Sequence, residues 1–319
     1  MERIRGTCSI AGTDCDRALT SFSEYRYYRF GLSLGLANLR RNGLVLGWKK
    51  TLGKIAQPIN SYTRFPEYWY FEQEIARHLA SLSRSRSAIL DVGSPKLVGL
   101  FLAVHYPIDL HLTDITPLNL DEYKVLWELV RPRARGSVVF STQDARALPY
   151  PDSTFDVVYA MSVVEHVEGS AGDTAAIREL MRVLRPGGRL VISVPFGPRY
   201  VEQFRVGLAG AAERTSDDRP RFFQRIYDVA TVRTRLIGEA SGLADVTMTS
   251  VRRERAGLAR AFGRAGENVR ALLGWTSPLL SKIVNRRDDS LRAGQSNRYD
   301  AMSSESDVYG DVMFTGRKA

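Results

Sequence analysis

Between residues 88 and 251, short apolar runs alternate with stretches in which apolar side chains recur at three- and four-residue spacing. The short runs predict strands at 88–92, 109–113, 137–141, 155–161 and 189–194, and the periodic stretches predict helices at 97–105, 121–130 and 174–184. Strands separated by helical crossovers imply a mostly parallel sheet covered on both faces, an open doubly wound α/β domain. In such a sheet a ligand sits beyond the carboxyl ends of the strands, where the strand order reverses.

The flanks follow other patterns. Residues 1–20 have no periodicity and are expected to form a loose tail. Residues 25–59 mix leucines with Arg40, Arg41, Lys49, Lys50 and Lys54 in a helical rhythm, and Pro66 suits the first turn of a helix through Tyr68, Trp69, Phe71, Ile75 and Leu79. Together they make a helical cap over 21–87, ahead of a core at 88–251. Within that core a connecting segment follows Phe196, then a helix at 228–241 and a strand at 244–251. Residues 253–285 return to a basic amphipathic pattern and 286–307 are polar. The apolar run at 311–315 reads as a last strand, with 308–319 returning to the core sheet and 252–307 inserted before it.

Composition narrows the class. With 44% apolar and 25% charged residues the 319-residue chain is an ordinary globular protein, neither disordered nor collagen-like. Its two cysteines, Cys8 and Cys15, lie in the leading segment and cannot staple a core, and no apolar run reaches a membrane-spanning length, so a cytoplasmic location is expected. The net charge of +10 is uneven: residues 1–60 hold ten Lys/Arg against four Asp/Glu, and 252–299 hold eleven against four. Two readings of these basic flanks stay open: solvated helical faces, or one surface for an anionic membrane.

Candidate chemistry gathers at the predicted strand ends. The first strand closes in Asp91-Val92-Gly93-Ser94-Pro95-Lys96. A glycine suits a turn that brings backbone close to a ligand, but Pro95 lacks an N–H and the later glycines of a dinucleotide loop are absent, which weakens a nicotinamide reading. Asp114, 21 positions after Gly93, can accept from both hydroxyls of a ribose or can serve as a turn residue. Asp144 can accept from an adenine amino group or hold a turn, and Asp156 is expected to be structural.

The run from Ile89 through Pro195 resembles the class I S-adenosylmethionine-dependent methyltransferases. The residues that carry the likeness are Leu-Pro-Tyr-Pro-Asp-Ser-Thr-Phe-Asp-Val-Val at 148–158, Glu165-His166-Val167 and Leu-Arg-Pro-Gly-Gly-Arg-Leu at 184–190, and the small-molecule branch with the ubiquinone and menaquinone enzymes is similar. The resemblance implies a Rossmann-like fold with S-adenosylmethionine as cofactor. It would place Asp91 and Gly93 beside the methionine part, Asp114 on the ribose, Asp144 and Ala145 around the adenine, and Met161 and Ser162 near the transferred methyl. The family's first turn usually carries three glycines; here the second and third places are Pro95 and Leu97.

His166, with Glu165 beside it, can take a proton from a hydroxyl nucleophile, or the pair can buttress the turn after the fourth strand. A Glu-x-x-Glu-His metal arrangement would need a carboxylate where Ser162 stands, so no metal is expected. The aromatic cluster Tyr62, Phe65, Tyr68, Trp69, Tyr70 and Phe71 reads as core, with one or two rings available as a lid over a sulfonium. Phe196, Gly197, Pro198 and Tyr200 stand where an acceptor loop would lie. The expected function is methyl transfer to oxygen or carbon of a small or lipid-linked acceptor. The rival is a non-catalytic binding or scaffolding protein on the same fold; nucleic acid is not an expected partner.

Overall fold

The computed structural model describes residues 23–43, 64–206, 219–253, 285–288 and 310–319. The expected tail at 1–20, the lysines at 49, 50 and 54, and nearly all of the basic stretch at 253–285 lie outside the described residues.

Eight strands form one sheet in the order β3-β2-β1-β4-β5-β10-β8-β9. They are β1 (Ser87–Val92), β2 (Ile108–Asp114), β3 (Ser137–Thr142), β4 (Phe155–Met161), β5 (Leu184–Phe196), β8 (Leu243–Arg253), β9 (Asn285–Asp288) and β10 (Gly310–Lys318). The pairs linking β1 to β5 are parallel, whereas β10 runs antiparallel between β5 and β8. This is the mostly parallel, Rossmann-like sheet that the alternating pattern predicts. The order reverses between β1 and β4, so the ligand crevice belongs at their carboxyl ends.

Period-2 alternation sends neighbouring side chains of the central strands to opposite cores. Ile89, Val157, Tyr159 and Val191 pack with α1 (Ser23–Asn42), α2 (Arg64–Ser81), α3 (Lys96–His105) and α4 (Pro117–Val130). Leu90, Val158, Ala160, Leu190 and Ile192 pack with α5 (Gly172–Val183) and with Val232 and Leu236. Every residue of β4 is buried, as expected for a strand covered on both faces. Among the described residues, no helix is long and apolar enough to cross a membrane.

Three segments differ from expectation. The connection after Phe196 contains a hairpin, β6 (Val201–Arg205) against β7 (Arg221–Ile226), whose strands are short and partly exposed and so lack a strong apolar signature. The helix expected at 228–241 is one turn, Val229–Thr231, followed by a wider π-type turn, Val232–Ile237. Asp228 caps that first turn, accepting from Thr231 N at 2.8 Å, while the Gly238 N–H reaches back to Arg233 O at 2.7 Å. Where the basic stretch meets the polar one, backbone pairing with β8 makes Asn285–Asp288 an edge strand.

Candidate functional site

The turn after β1 is organised from beneath. Asp91 is fully buried; its carboxylate accepts from Ser94 N at 3.0 Å and from the Tyr159 hydroxyl at 2.7 Å. Burial pushes the Asp91 carboxyl above the usual carboxylate range, against the opposing pull of Lys96, and burial followed by the Asp91 charge pushes the Tyr159 phenol well above its ordinary value. Asp91 therefore braces the turn from the interior. Gly93 has φ of +65°, and a Cβ there would meet Val163 Cγ1 at 2.8 Å. The glycine is required by the conformation and by the β4 loop packed against it, rather than by open ligand space.

Lys96 opens α3 and turns back across the strand ends. Its ammonium donates to Ser94 O at 2.7 Å and Thr113 O at 2.9 Å, and pairs with Asp114 Oδ2 at 3.0 Å. Asp114 ends β2, with Oδ1 accepting from Thr116 N at 3.0 Å and Asn119 Nδ2 at 3.2 Å. The turn role is thus real, and it coexists with a carboxylate at the strand end.

The segment after β3 is tied to Asp114 through Gln143 N on Asp114 O at 2.9 Å, which brings Asp144 alongside. Asp144 is held by Arg146 through both carboxylate oxygens, and that hydrogen-bonded guanidinium keeps its carboxyl below the usual range. Ala145 belongs to the apolar cluster shared with Val92 and Leu148. Asp156 is structural: Ala88 N donates to it at 2.9 Å, and Arg84 and Arg185 pair with it.

At the end of β4, the Met161 side chain is buried and its N–H donates to Ser94 Oγ at 2.9 Å, locking the fourth strand to the first turn. Ser162 has φ of +52°, an uncommon conformation for serine. Its hydroxyl donates to Glu67 Oε1 at 2.9 Å, and Ser193 at the end of β5 donates to the same oxygen at 2.6 Å. Glu67, from α2 and 1% exposed, thus anchors the cap to the carboxyl edge of the sheet.

Glu165 and His166 sit on a single turn, Val164–His166. His166 Nδ1 lies 2.7 Å from Phe223 O, an acceptor, so Nδ1 carries a hydrogen. Nε2 is 3.7 Å from the buried Glu165 carboxylate, which would stabilise a proton arriving there. Buried Arg225 of β7 holds the loop, donating through Nη1 to Val167 O at 2.7 Å and through Nη2 to Gly169 O. Asp173 at the start of α5 pairs with Arg235 at 2.7 Å and accepts from Tyr227 at 2.9 Å. Burial pushes the Asp173 carboxyl up, but the Arg235 and Arg225 guanidinium groups outweigh it and hold the group below its ordinary value.

Asp91, Gly93, Asp114, Met161 and Ser162 therefore meet at the switch point, Asp144 joins beside Asp114, and Glu165–His166 follow on the β4 loop. Lys96, Glu67 and Arg225 escape sequence reasoning. Lys96 had one signal, a lone cation opening an otherwise apolar helix, Lys-Leu-Val-Gly-Leu-Phe-Leu-Ala-Val at 96–104. A ribose hydroxyl fits this acceptor: a carboxylate offers about four lone-pair positions, and three contacts occupy the Asp114 carboxylate, leaving an acceptor at the β2 end.

A parallel sheet reversing between β1 and β4, with an antiparallel strand beside β5 and Asp114 ending β2, is a Rossmann-like α/β architecture. Residues 90–192 match the model of a methyltransferase domain. The chain is 41% identical over 80 residues to the 27-O-demethylrifamycin SV methyltransferase of Amycolatopsis mediterranei, covering 25% of this chain and 27% of that protein. It is 33% identical over 114 residues to the ubiquinone/menaquinone biosynthesis C-methyltransferase UbiE of Saccharophagus degradans, covering 34% and 43%. A similar solved structure is the [4+2]-cyclase SpnF, at a TM-score of 0.44 and 20% identity over 79% of this chain and 81% of that one. The matches to these and other curated relatives span between about a quarter and about half of the relatives' own length.

Proposed function

We propose that the chain transfers a methyl group from S-adenosylmethionine to oxygen or carbon of a small or lipid-linked acceptor. The observation that carries this reading is the Asp114 carboxylate at the end of β2, beside the left-handed turn at Gly93 and tied through its backbone to the Asp144 segment. Those groups suit a ribose and an adenine at the switch point of a methyltransferase domain. The names of the curated relatives cover both O- and C-methylation, which supports the two acceptor atoms.

The cofactor, when bound, supplies an electrophilic methyl on a sulfonium. The chain's part is to orient the acceptor, exclude water and take up a proton where the acceptor is a hydroxyl. His166 Nε2 is the group proposed to accept that proton, with Glu165 stabilising the resulting imidazolium. The test is incubation with S-adenosylmethionine and a panel of phenols, quinols and lipid-linked alcohols, read by mass spectrometry. A product heavier by one methylene, with S-adenosylhomocysteine in equal amount, supports the reading. Tight cofactor binding without turnover of any acceptor in the panel or in a cell extract favours the binding-protein alternative.

A further inference from the structure

Burying an ammonium is costly unless every hydrogen finds an acceptor. Lys96 is 3% exposed; its ammonium donates to Ser94 O and Thr113 O and is ion-paired with Asp114 Oδ2 at 3.0 Å. Two carbonyls and a carboxylate thus surround the ammonium. The lysine cannot easily withdraw, because the first turn of α3 is fixed: Leu97, Val98 and Leu100 are buried, and Pro95 stands immediately before it.

Of about four acceptor positions on the Asp114 carboxylate, Lys96, Thr116 N and Asn119 Nδ2 take three. A ribose diol gripped by both hydroxyls needs two. One remains.

We propose that Lys96 is an affinity-setting residue of the nucleoside subsite: its ammonium masks half of Asp114, so that an adenosyl ligand engages the carboxylate through a single ribose hydroxyl. The inference rests on the reading above that Asp114 meets the ribose. The mask makes the two ribose hydroxyls unequal, which a doubly gripped ribose would not be.

Calorimetric titration with S-adenosylhomocysteine, and with its 2′-deoxy and 3′-deoxy analogues, tests the idea on the full chain without any substitution. The mask predicts asymmetry: one deoxy analogue binds within about twofold of the parent and the other at least tenfold more weakly. Equal losses for both analogues overturn it. Lys96→Met, which keeps the stem and removes the charge, should bind S-adenosylhomocysteine at least tenfold more tightly, and both hydroxyls should then matter. Unchanged or weaker binding by folded Lys96→Met counts against the mask. Binding by Lys96→Met alone supports it in its strongest form. If neither protein binds any of the three ligands while both remain folded, the nucleoside reading of the site is itself wrong, and the mask falls with it.

Discussion

Replacing Arg225 by methionine should cost the domain a large share of its stability and release the loop that carries Glu165 and His166. Arg225 is 1% exposed, donates to the carbonyls of Val167 and Gly169, and has Asp173 at 3.8 Å and Glu202 at 3.3 Å. Each hydrogen bond from a charged donor is worth about 1.5–3 kcal/mol, and methionine would recover part of the apolar contact that the guanidinium makes over Phe222 at 4.6 Å. Breaking a buried charged cluster by removing one member typically costs about 3–5 kcal/mol, which is large beside the roughly 5–15 kcal/mol that holds a domain together. Asp173 keeps Arg235, so the loss should fall near the lower end. Urea unfolding followed by tryptophan fluorescence and circular dichroism reads it as a lower midpoint at constant slope. A loss below about 1 kcal/mol in urea would refute the reasoning, since even one charged hydrogen bond exceeds it. A pH arm adds a sign. Asp173 has a folded value below its ordinary 3.8, so its contribution is complete above that value and is lost as pH falls through the folded one. Without Arg225 the acid-side loss should begin at higher pH.

Glu67→Ala should destabilise by about 2–4 kcal/mol, because Ser162 and Ser193 lose a shared buried acceptor and a small void opens; a melting temperature within a degree of wild type would contradict the anchoring role. Deleting residues 308–319 should abolish cooperative unfolding, since Val312, Met313 and Phe314 are buried between β5 and β8 and each such side chain contributes about 1.5–3 kcal/mol; a truncated chain that melts like the parent would return the segment to a tail. His166→Ala should lower turnover about a hundredfold with cofactor affinity nearly unchanged, whereas equal loss of affinity and rate, or loss of fold, would mark a buttress.

Much of the fold is legible because each central strand buries both faces, which writes short apolar runs such as Val157–Met161 into the chain. The same logic explains why 311–315 stands out near the end of the chain: the segment lies inside the sheet. The hairpin β6–β7 left no such trace, because its strands are short, only partly buried and mix Phe222 and Ile226 with Glu202, Gln203, Gln224 and Arg225. At the site, spacing pointed to Asp91, Gly93 and Asp114 as strand-end residues, but it could not show which way they face. Asp91 turns inward to Tyr159, and Gly93 faces Val163. The partner of Asp114 was invisible for a different reason: Lys96 is 18 residues away in sequence and meets it only once β1 and β2 lie side by side.

The central claim is that the carboxyl edge of β1, β2 and β4 is an adenosyl site with Asp114 at its ribose end. Calorimetric titration of the full chain with S-adenosylmethionine, beside Asp114→Ala checked for intact folding by circular dichroism, tests it most directly. The account predicts one site per chain, with affinity reduced in the variant by about 1.5–3 kcal/mol, the worth of a hydrogen bond to a charged group, that is, roughly ten- to more than a hundredfold. Absence of binding by the folded wild type, or equal affinity in wild type and a folded Asp114→Ala variant, would contradict it.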